Sequence, residues 1–563
     1  MRSARRADGS AGPAMSDSLL VYGVPIYVRH DLPPVEAIGI LDGRVAAVGA
    51  TDQVRLALPP GTPERRLARG AVLPAFIDPH QHAYLVAADP GVDALYRRAG
   101  DIRGLVDEIA RLVADGDGGP GEGTWLRLHG YEPLTLAERR SPTAAELDRA
   151  SGDRPIHVLS RTFHESSVSS AGLDALGIGR GTPDPPGGRI VRDRRGRPTG
   201  VLLESASFAA EAASRRADDD PGAWRSRLRA HGRRLLANGV TRIGDAAVPA
   251  ASASALVDEL AAIGVSAHPL LVGGRIDEPW LVAGATAKVL IDGGEYCHLC
   301  MTGRQVAAVM GGSLRANMGP ERQVARAVGL RAGLPRREAD GRWHTGIRFP
   351  HEAGLPALLR AAADAGSGLA VHAIGNGAVR AVLDTLRADA ALAAAVPVRV
   401  EHAMTIDGTQ ARALGRARIP VVVQPGFLGA FGHELSLVPL PHPLRLMPLR
   451  TMHEEGVPMA FSSDYPAAGL SPWDAVRDSV TRLDATGRAI HPDEALDLRV
   501  ALDASTLGAA RVLGVEDAGT LEPGRCADLI WCDRDPSAMP PASLGEISVL
   551  ATWSGGHAVF ERG

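Results

Sequence analysis

Histidines and carboxylates gather at the ends of short apolar runs, and one lysine stands among them. Phe76-Ile-Asp-Pro-His-Gln-His-Ala83 ends one such run with His80 and His82; later runs end at His372, His402 and Asp464. In an extended segment alternate side chains point the same way, so His80 and His82 share a face. An isolated H-x-H says little. Imidazole and carboxylate gathered at several strand ends, however, form the ligand set that suits zinc or a similar divalent ion. The chain of 563 residues has a single lysine, Lys288, within Ala285-Thr-Ala-Lys-Val-Leu-Ile-Asp-Gly293, and uses arginine for every other cationic side chain. Lysine can shed its proton in a protected site and react as an amine, which guanidinium cannot.

These residues need a frame. The sequence repeats a phrase: an Ala/Leu/Arg-rich helix, a glycine able to cap its C-terminus, then a β-branched run ending in polar residues. It occurs at Leu235-Leu-Ala-Asn-Gly-Val-Thr-Arg-Ile-Gly-Asp245 and at Leu260-Ala-Ala-Ile-Gly-Val-Ser-Ala-His-Pro-Leu-Leu-Val272. Further copies end at His372, His402, Gln424 and Asp464, and Val72–Asp78 with Lys288–Asp292 completes eight strands. Eight strands alternating with helices predict an α/β fold, a (β/α)8 barrel of the TIM type with its chemistry at the strand C-termini. The barrel is expected over 71–514.

Two connections are too long for simple units. Residues 84–235 hold strand-like pieces at Trp125-Leu-Arg-Leu-His129, Ile156-His-Val-Leu159 and Arg189–Leu203, so an inserted subdomain should roof the barrel mouth. A second insertion, 295–348, follows the lysine strand. Both chain ends read as β, with hairpin turns at Asp42-Gly43 and Gly555-Gly556. Neither end has strands enough to stand alone, so 18–70 and 515–563 should pair into one small β-sandwich. Residues 1–17 read as a disordered tail, with Met15 an alternative start.

Composition excludes several classes. A formal charge of −4 with interspersed signs leaves no basic track for nucleic acid. No run approaches the roughly 20 apolar residues of a membrane span. Four cysteines are too few for a disulfide framework, which favours a reducing, cytoplasmic setting. The sequence is compatible with a homo-oligomer.

The chain resembles the amidohydrolase superfamily, and within it amidohydrolase family 3, from about Leu19 onward. The resemblance rests on Leu73-Pro-Ala-Phe-Ile-Asp-Pro-His-Gln-His82, Gly187-Gly-Arg-Ile-Val-Arg-Asp193 with Gly200-Val-Leu-Leu-Glu204, Val371-His-Ala-Ile-Gly375, Arg399-Val-Glu-His-Ala403, Phe461-Ser-Ser-Asp464 and Gly519-Thr-Leu-Glu-Pro-Gly-Arg-Cys-Ala-Asp-Leu529. It implies a site of two divalent metal ions, zinc foremost. His80 and His82 would hold one, His372 and His402 the other, and a carboxylated Lys288 would bridge them. Asp464 would bind the first metal and take the proton of the attacking water. Metals lower the pKa of bound water from about 15.7 to near 7, which makes hydroxide available at neutral pH.

The implied activity is hydrolysis of a carbon–nitrogen bond in a small-molecule amide, an N-acyl or N-formyl amine. A deaminase or cyclic amide hydrolase of the same superfamily, and an inactive scaffold, are the alternatives. Deaminases carry a glutamate three residues past the strand-five histidine, where this chain has Gly375. Departures from the family pattern are Asn376, Ala75 and the segment Asp292-Gly-Gly-Glu-Tyr-Cys-His-Leu-Cys300. Cys297, His298 and Cys300 read as pocket lining, with a separate metal knuckle as the rival reading. His164, Tyr131, Cys297 and Gln424 are the expected substrate contacts.

Overall fold

The computed structural model describes residues 18–89, 95, 99–114, 125–151, 153–216, 220–316, 334–436 and 440–563. The tail expected over 1–17 lies outside them.

Eight parallel strands form the centre: β1 (Phe76–Gln81), β2 (Val240–Pro249), β3 (Ser266–Val272), β4 (Thr286–Leu290), β5 (Gly368–Gly375), β6 (Val398–Ile406), β7 (Val421–Val423) and β8 (Met459–Phe461). They follow chain order around the sheet. The seam between β8 and β1 is closed beyond the strands, where Asp464 N donates to His80 O at 2.9 Å and His82 N donates to Tyr465 O at 3.1 Å. The Asp78 carboxylate adds to this closure by accepting from Ser463 N at 3.1 Å. The result is the expected TIM-like barrel.

The repeated phrase has a backbone reason. Gly239, Gly264 and Gly366 have φ of +78°, +88° and +66°, a region that glycine enters without a Cβ penalty. Each therefore turns a helix into the strand that follows. Starts are fixed as well: Pro350 occupies the first turn of the helix Pro350–Ala365, and Asp220 caps Pro221–Ala237 by accepting from Gly222 N and Ala223 N.

Every residue of β5 is buried, as befits a strand covered on both faces. In β4 the alternation divides the labour. Ala287, Val289 and Ile291 join Leu355, Leu359 and Ala362 in the core between sheet and helices, which leaves Lys288 on the opposite face. The small cluster of Ala246, Leu270 and Ala370 forms a separate buried patch.

The chain ends pair as expected, with one refinement of topology. They form a continuous eight-stranded sheet whose two halves share a core that includes Val21, Ile38, Ile40, Leu529 and Trp553. The strand Ala71–Pro74 belongs to that sheet, where it pairs with Leu529–Cys532, so the first barrel strand starts at Phe76 and not at Val72. The insertion carries a five-stranded sheet between Leu126 and Glu204. Its expected end at 235 runs too far, because Leu228, Leu235 and Leu236 of Pro221–Ala237 pack into the barrel core. All four cysteines are unpaired. Among the described residues no helix is long and apolar enough to cross a membrane.

Candidate metal centre

At the C-terminal end of the barrel three histidines are held from behind. His80 Nδ1 meets Glu401 Oε2 at 2.5 Å, His82 Nδ1 meets the Ala246 carbonyl at 2.6 Å, and His402 Nδ1 meets Gln424 Oε1 at 2.8 Å. An Nδ1–H donated to oxygen fixes the tautomer whose Nε2 has a free lone pair. Those Nε2 atoms turn toward Asp464: Oδ1 lies 3.0 Å from His82 Nε2 and 3.4 Å from His80 Nε2. His80, His402 and Asp464 each offer a ligand atom, all within 4.8 Å of one another. Lys288 Nζ stands 3.4 Å from His80 Nε2.

His372 completes the ring of imidazoles, its centroid 4.5 Å from that of His402. Its Nε2 is buried without a hydrogen-bond partner, 3.8 Å from Asp292 Oδ1. A buried polar atom left unmatched costs free energy unless something supplies the missing interaction. The orphaned nitrogen, the convergent Nε2 atoms and the hard carboxylate together fit a divalent cation.

Electrostatics agree with that fit. Burial pushes His402 down to about 3, so the ring is a neutral lone-pair donor. Burial lowers Lys288 to about 8, far enough for a neutral amine to be present near neutral pH. Burial would raise Asp464, yet His80, His82 and His402 hold its carboxyl well below the usual range, and it stays ionised. Glu401 is held low in the same way by Arg399, whose Nε donates to it at 2.6 Å, and by His80. His402 and Asp464 sit at φ of +77° and +50°, conformations rare for side-chain-bearing residues and concentrated at functional sites.

The cavity above leaves about 50 Å³ of free space. Asp464, His372, His402 and His164 meet an apolar wall of Leu134, Ile374, Met404, Phe427, Phe431 and Leu435, with Glu132, Thr162, Gly294 and Glu295 also at its edge. His164 faces this cavity from the insertion. The Glu204 carboxylate 2.6 Å from its Nδ1 raises it to about 9 against the opposing effect of burial.

Three expected substrate contacts lie elsewhere. Gln424 sits behind His402 and is itself fixed by donation to Ser462 Oγ at 2.9 Å, so it orients a histidine. The Tyr131 hydroxyl turns into the insertion and donates to Ser141 at 2.8 Å. Cys297 packs against the barrel core instead of facing the cavity. The knuckle of Cys297, His298 and Cys300 does not form either, because Cys300 faces His344 and Asp340.

Sequence reasoning gave no role to Glu401 or Asp292. The Asp292 carboxylate accepts from the N–H groups of His298, Ile374 and Gly375 and so ties the end of β5 to the segment that follows β4. Glu401 lay one residue before His402, and that adjacency was the available signal.

Comparison with known proteins places this architecture. An N-substituted formamide deformylase of Arthrobacter pascens is 29% identical over 542 residues, covering 94% of this chain and 95% of the relative. Two crystal structures described as uncharacterized metal-dependent hydrolases, from Pyrococcus horikoshii and Pyrococcus furiosus, superpose with TM-scores of 0.65 and 0.61. Each is 20% identical and covers 93% of this chain, with 99% and 100% of the respective neighbour matched. The profile of the amidohydrolase family matches residues 67–560, and the chain belongs to that family of hydrolases acting on carbon–nitrogen bonds.

Proposed function

We propose that the protein is a metal-dependent hydrolase of small N-acyl amines, with N-formyl amines foremost. The observation that carries this reading is the convergence of tied-back histidines on an ionised Asp464 beside the only lysine in the chain. In this reading His80, His82, His372, His402 and Asp464, together with Lys288 carboxylated on Nζ, would hold two divalent ions, zinc foremost. Such ions supply a water acidified to near neutral pH and a Lewis acid for the carbonyl.

The remaining work falls to side chains. Asp464, ionised at the mouth, accepts the proton of the attacking water and returns it to the departing amine. His164, held cationic by Glu204, is placed to donate to the substrate's carbonyl oxygen as it gains charge. Glu401 and Gln424 hold His80 and His402 at their working tautomers. The narrow, largely apolar cavity favours a small acyl group, and the similarity to the Arthrobacter formamide deformylase points the same way.

Deamination is disfavoured at the position where a glutamate would act. A Cβ on Gly375 would fall 2.0 Å from the His298 carbonyl oxygen, so no side chain fits there. The four free thiols agree with a reducing, cytoplasmic setting. The deciding experiment follows amine release from N-formyl amines, longer N-acyl amines, lactams and cyclic ureas using metal-analysed protein. Turnover should be highest for N-formyl or short N-acyl substrates. Ammonia release from amidines or nucleobases with no amide cleavage would overturn the reading.

A further inference from the structure

Beside the barrel mouth, a small three-stranded sheet brings together side chains for which the catalytic reading has no use. The strand Leu299–Met301 pairs antiparallel with Trp343–Thr345, and the register sets Cys300 directly opposite His344. Such cross-strand neighbours have Cβ atoms about 5 Å apart. Asp340, in the turn that leads into the second strand, lies four residues before His344 and folds back on it. Its Oδ2 is 3.1 Å from His344 Nε2, and Cys300 Sγ is 4.0 Å from the same nitrogen. One ligand atom from each of the three lies within 4.8 Å of the others.

A second feature points independently to a cation. His344 Nδ1 is 2.7 Å from His298 Nε2, and His298 Nδ1 is 2.9 Å from Glu352 Oε2. A proton on His298 Nδ1 donated to Glu352 makes its Nε2 an acceptor. His344 then donates from Nδ1, which leaves a bare lone pair on the Nε2 that faces Cys300 and Asp340. A carboxylate–histidine relay behind a histidine is how proteins orient metal-ligating imidazoles.

We infer that Cys300, His344 and Asp340 form a second metal site, distinct from the barrel centre, that takes a single zinc-like divalent ion. Thiolate, imidazole and carboxylate suit such an ion, and three protein ligands leave a fourth position for water. Binding converts the Cys300 thiol to thiolate and releases its proton to solvent. Arg380 Nη1 now lies 3.5 Å from Sγ and 3.9 Å from Asp340, while its Nε is 3.4 Å from Asp384. It is half-exposed and can keep the Asp384 pairing when the ion takes its place.

The position gives the site a consequence. Asn376, directly after β5, holds Cys300 from both sides: its Oδ1 accepts from Cys300 N at 3.0 Å and its Nδ2 donates to Cys300 O at 2.8 Å. An ion at this rim would therefore staple the small sheet to the end of the strand that carries His372. The same segment supplies Gly294 and Glu295 to the cavity edge.

Cobalt(II) reads this site selectively, because the barrel centre offers only nitrogen and oxygen ligands and cannot give a thiolate-to-cobalt charge-transfer band. Cobalt added to protein already holding its barrel metals should produce that band in the near ultraviolet together with one further bound equivalent. Both should vanish in Cys300→Ala and persist in Cys297→Ala. Asp340→Asn, at an exposed turn where folding is not at stake, keeps the thiol and should weaken cobalt binding by at least the roughly tenfold that even outer-shell losses cost. A wild-type protein without the band, a band that survives Cys300→Ala, or unchanged affinity in Asp340→Asn would overturn the inference.

Discussion

The two ends of this barrel are built from the same repeated phrase, and they differ in what their cavities contain. The cavity at the strand starts, beside Thr286, Leu369, Val398 and Pro420, measures about 1570 Å³ and is lined mostly by alanine, leucine, proline and arginine. The one at the strand ends measures about 50 Å³, yet five candidate ligands and an amine of lowered pKa surround it or lie directly beneath. Size does not locate chemistry; convergent polar groups with shifted ionisation do.

The comparison breaks most readily at Asp464. Asp464→Asn should lower turnover by about 10² to 10⁴ while changing substrate binding far less, because it removes the proton acceptor. Steady-state kinetics on the best amide checks this. Retention of more than about a tenth of turnover would move the proton shuttle to another residue.

A smaller effect is expected one layer behind. Glu401→Gln keeps the shape but weakens the grip on His80 Nδ1, and metal affinity measured by chelator competition should fall about 10- to 100-fold. Unchanged affinity would mean that His80 is positioned by its strand alone.

Acid should act on a buried histidine of the roof. His157, in the roof, is pushed down to about 3 by burial, with Arg127 adding to the effect. Its unfolded form takes up a proton below about 6.5, whereas the folded form resists until about 3. Stability from this group is thus fully present above 6.5 and is lost as pH falls toward 3, by about 1.4 kcal/mol per pH unit. His157→Gln should flatten that part of the denaturation profile, and an unchanged profile would assign the acid sensitivity elsewhere.

The smallest effect is expected at the opposite end. Ala413→Leu adds bulk to the large cavity and should leave kcat/KM within about twofold, with little change in melting temperature. A large kinetic loss would show that this cavity also serves the reaction.

The strand ends were legible in the sequence because each side chain's placement follows from its position in a period-two strand and from the barrel's rule that strand C-termini face one way, while their ligand roles came from the family resemblance. His80, His82, Lys288, His372, His402 and Asp464 all follow from that rule. Gln424 follows it too, yet its amide bonds His402 instead of facing the cavity, because neighbouring Ser462 draws its Nε2 aside. Tyr131 and Cys297 were misplaced for a different reason: their orientation depends on how the insertion and the β4 loop fold over the barrel, and no local period records that. The meeting of Cys300 with His344 was hidden as well, because it depends on strand pairing across more than forty residues.

The central claim is that Lys288, carboxylated, bridges two metals. Its most direct test is metal content per chain in Lys288→Arg, measured in a Cys300→Ala background so that the rim site contributes nothing. Arginine keeps charge and approximate length but cannot be carboxylated. The parent should hold close to two equivalents and the arginine variant should lose most of that metal and its activity while staying folded. Two full equivalents with normal turnover in Lys288→Arg would contradict the account.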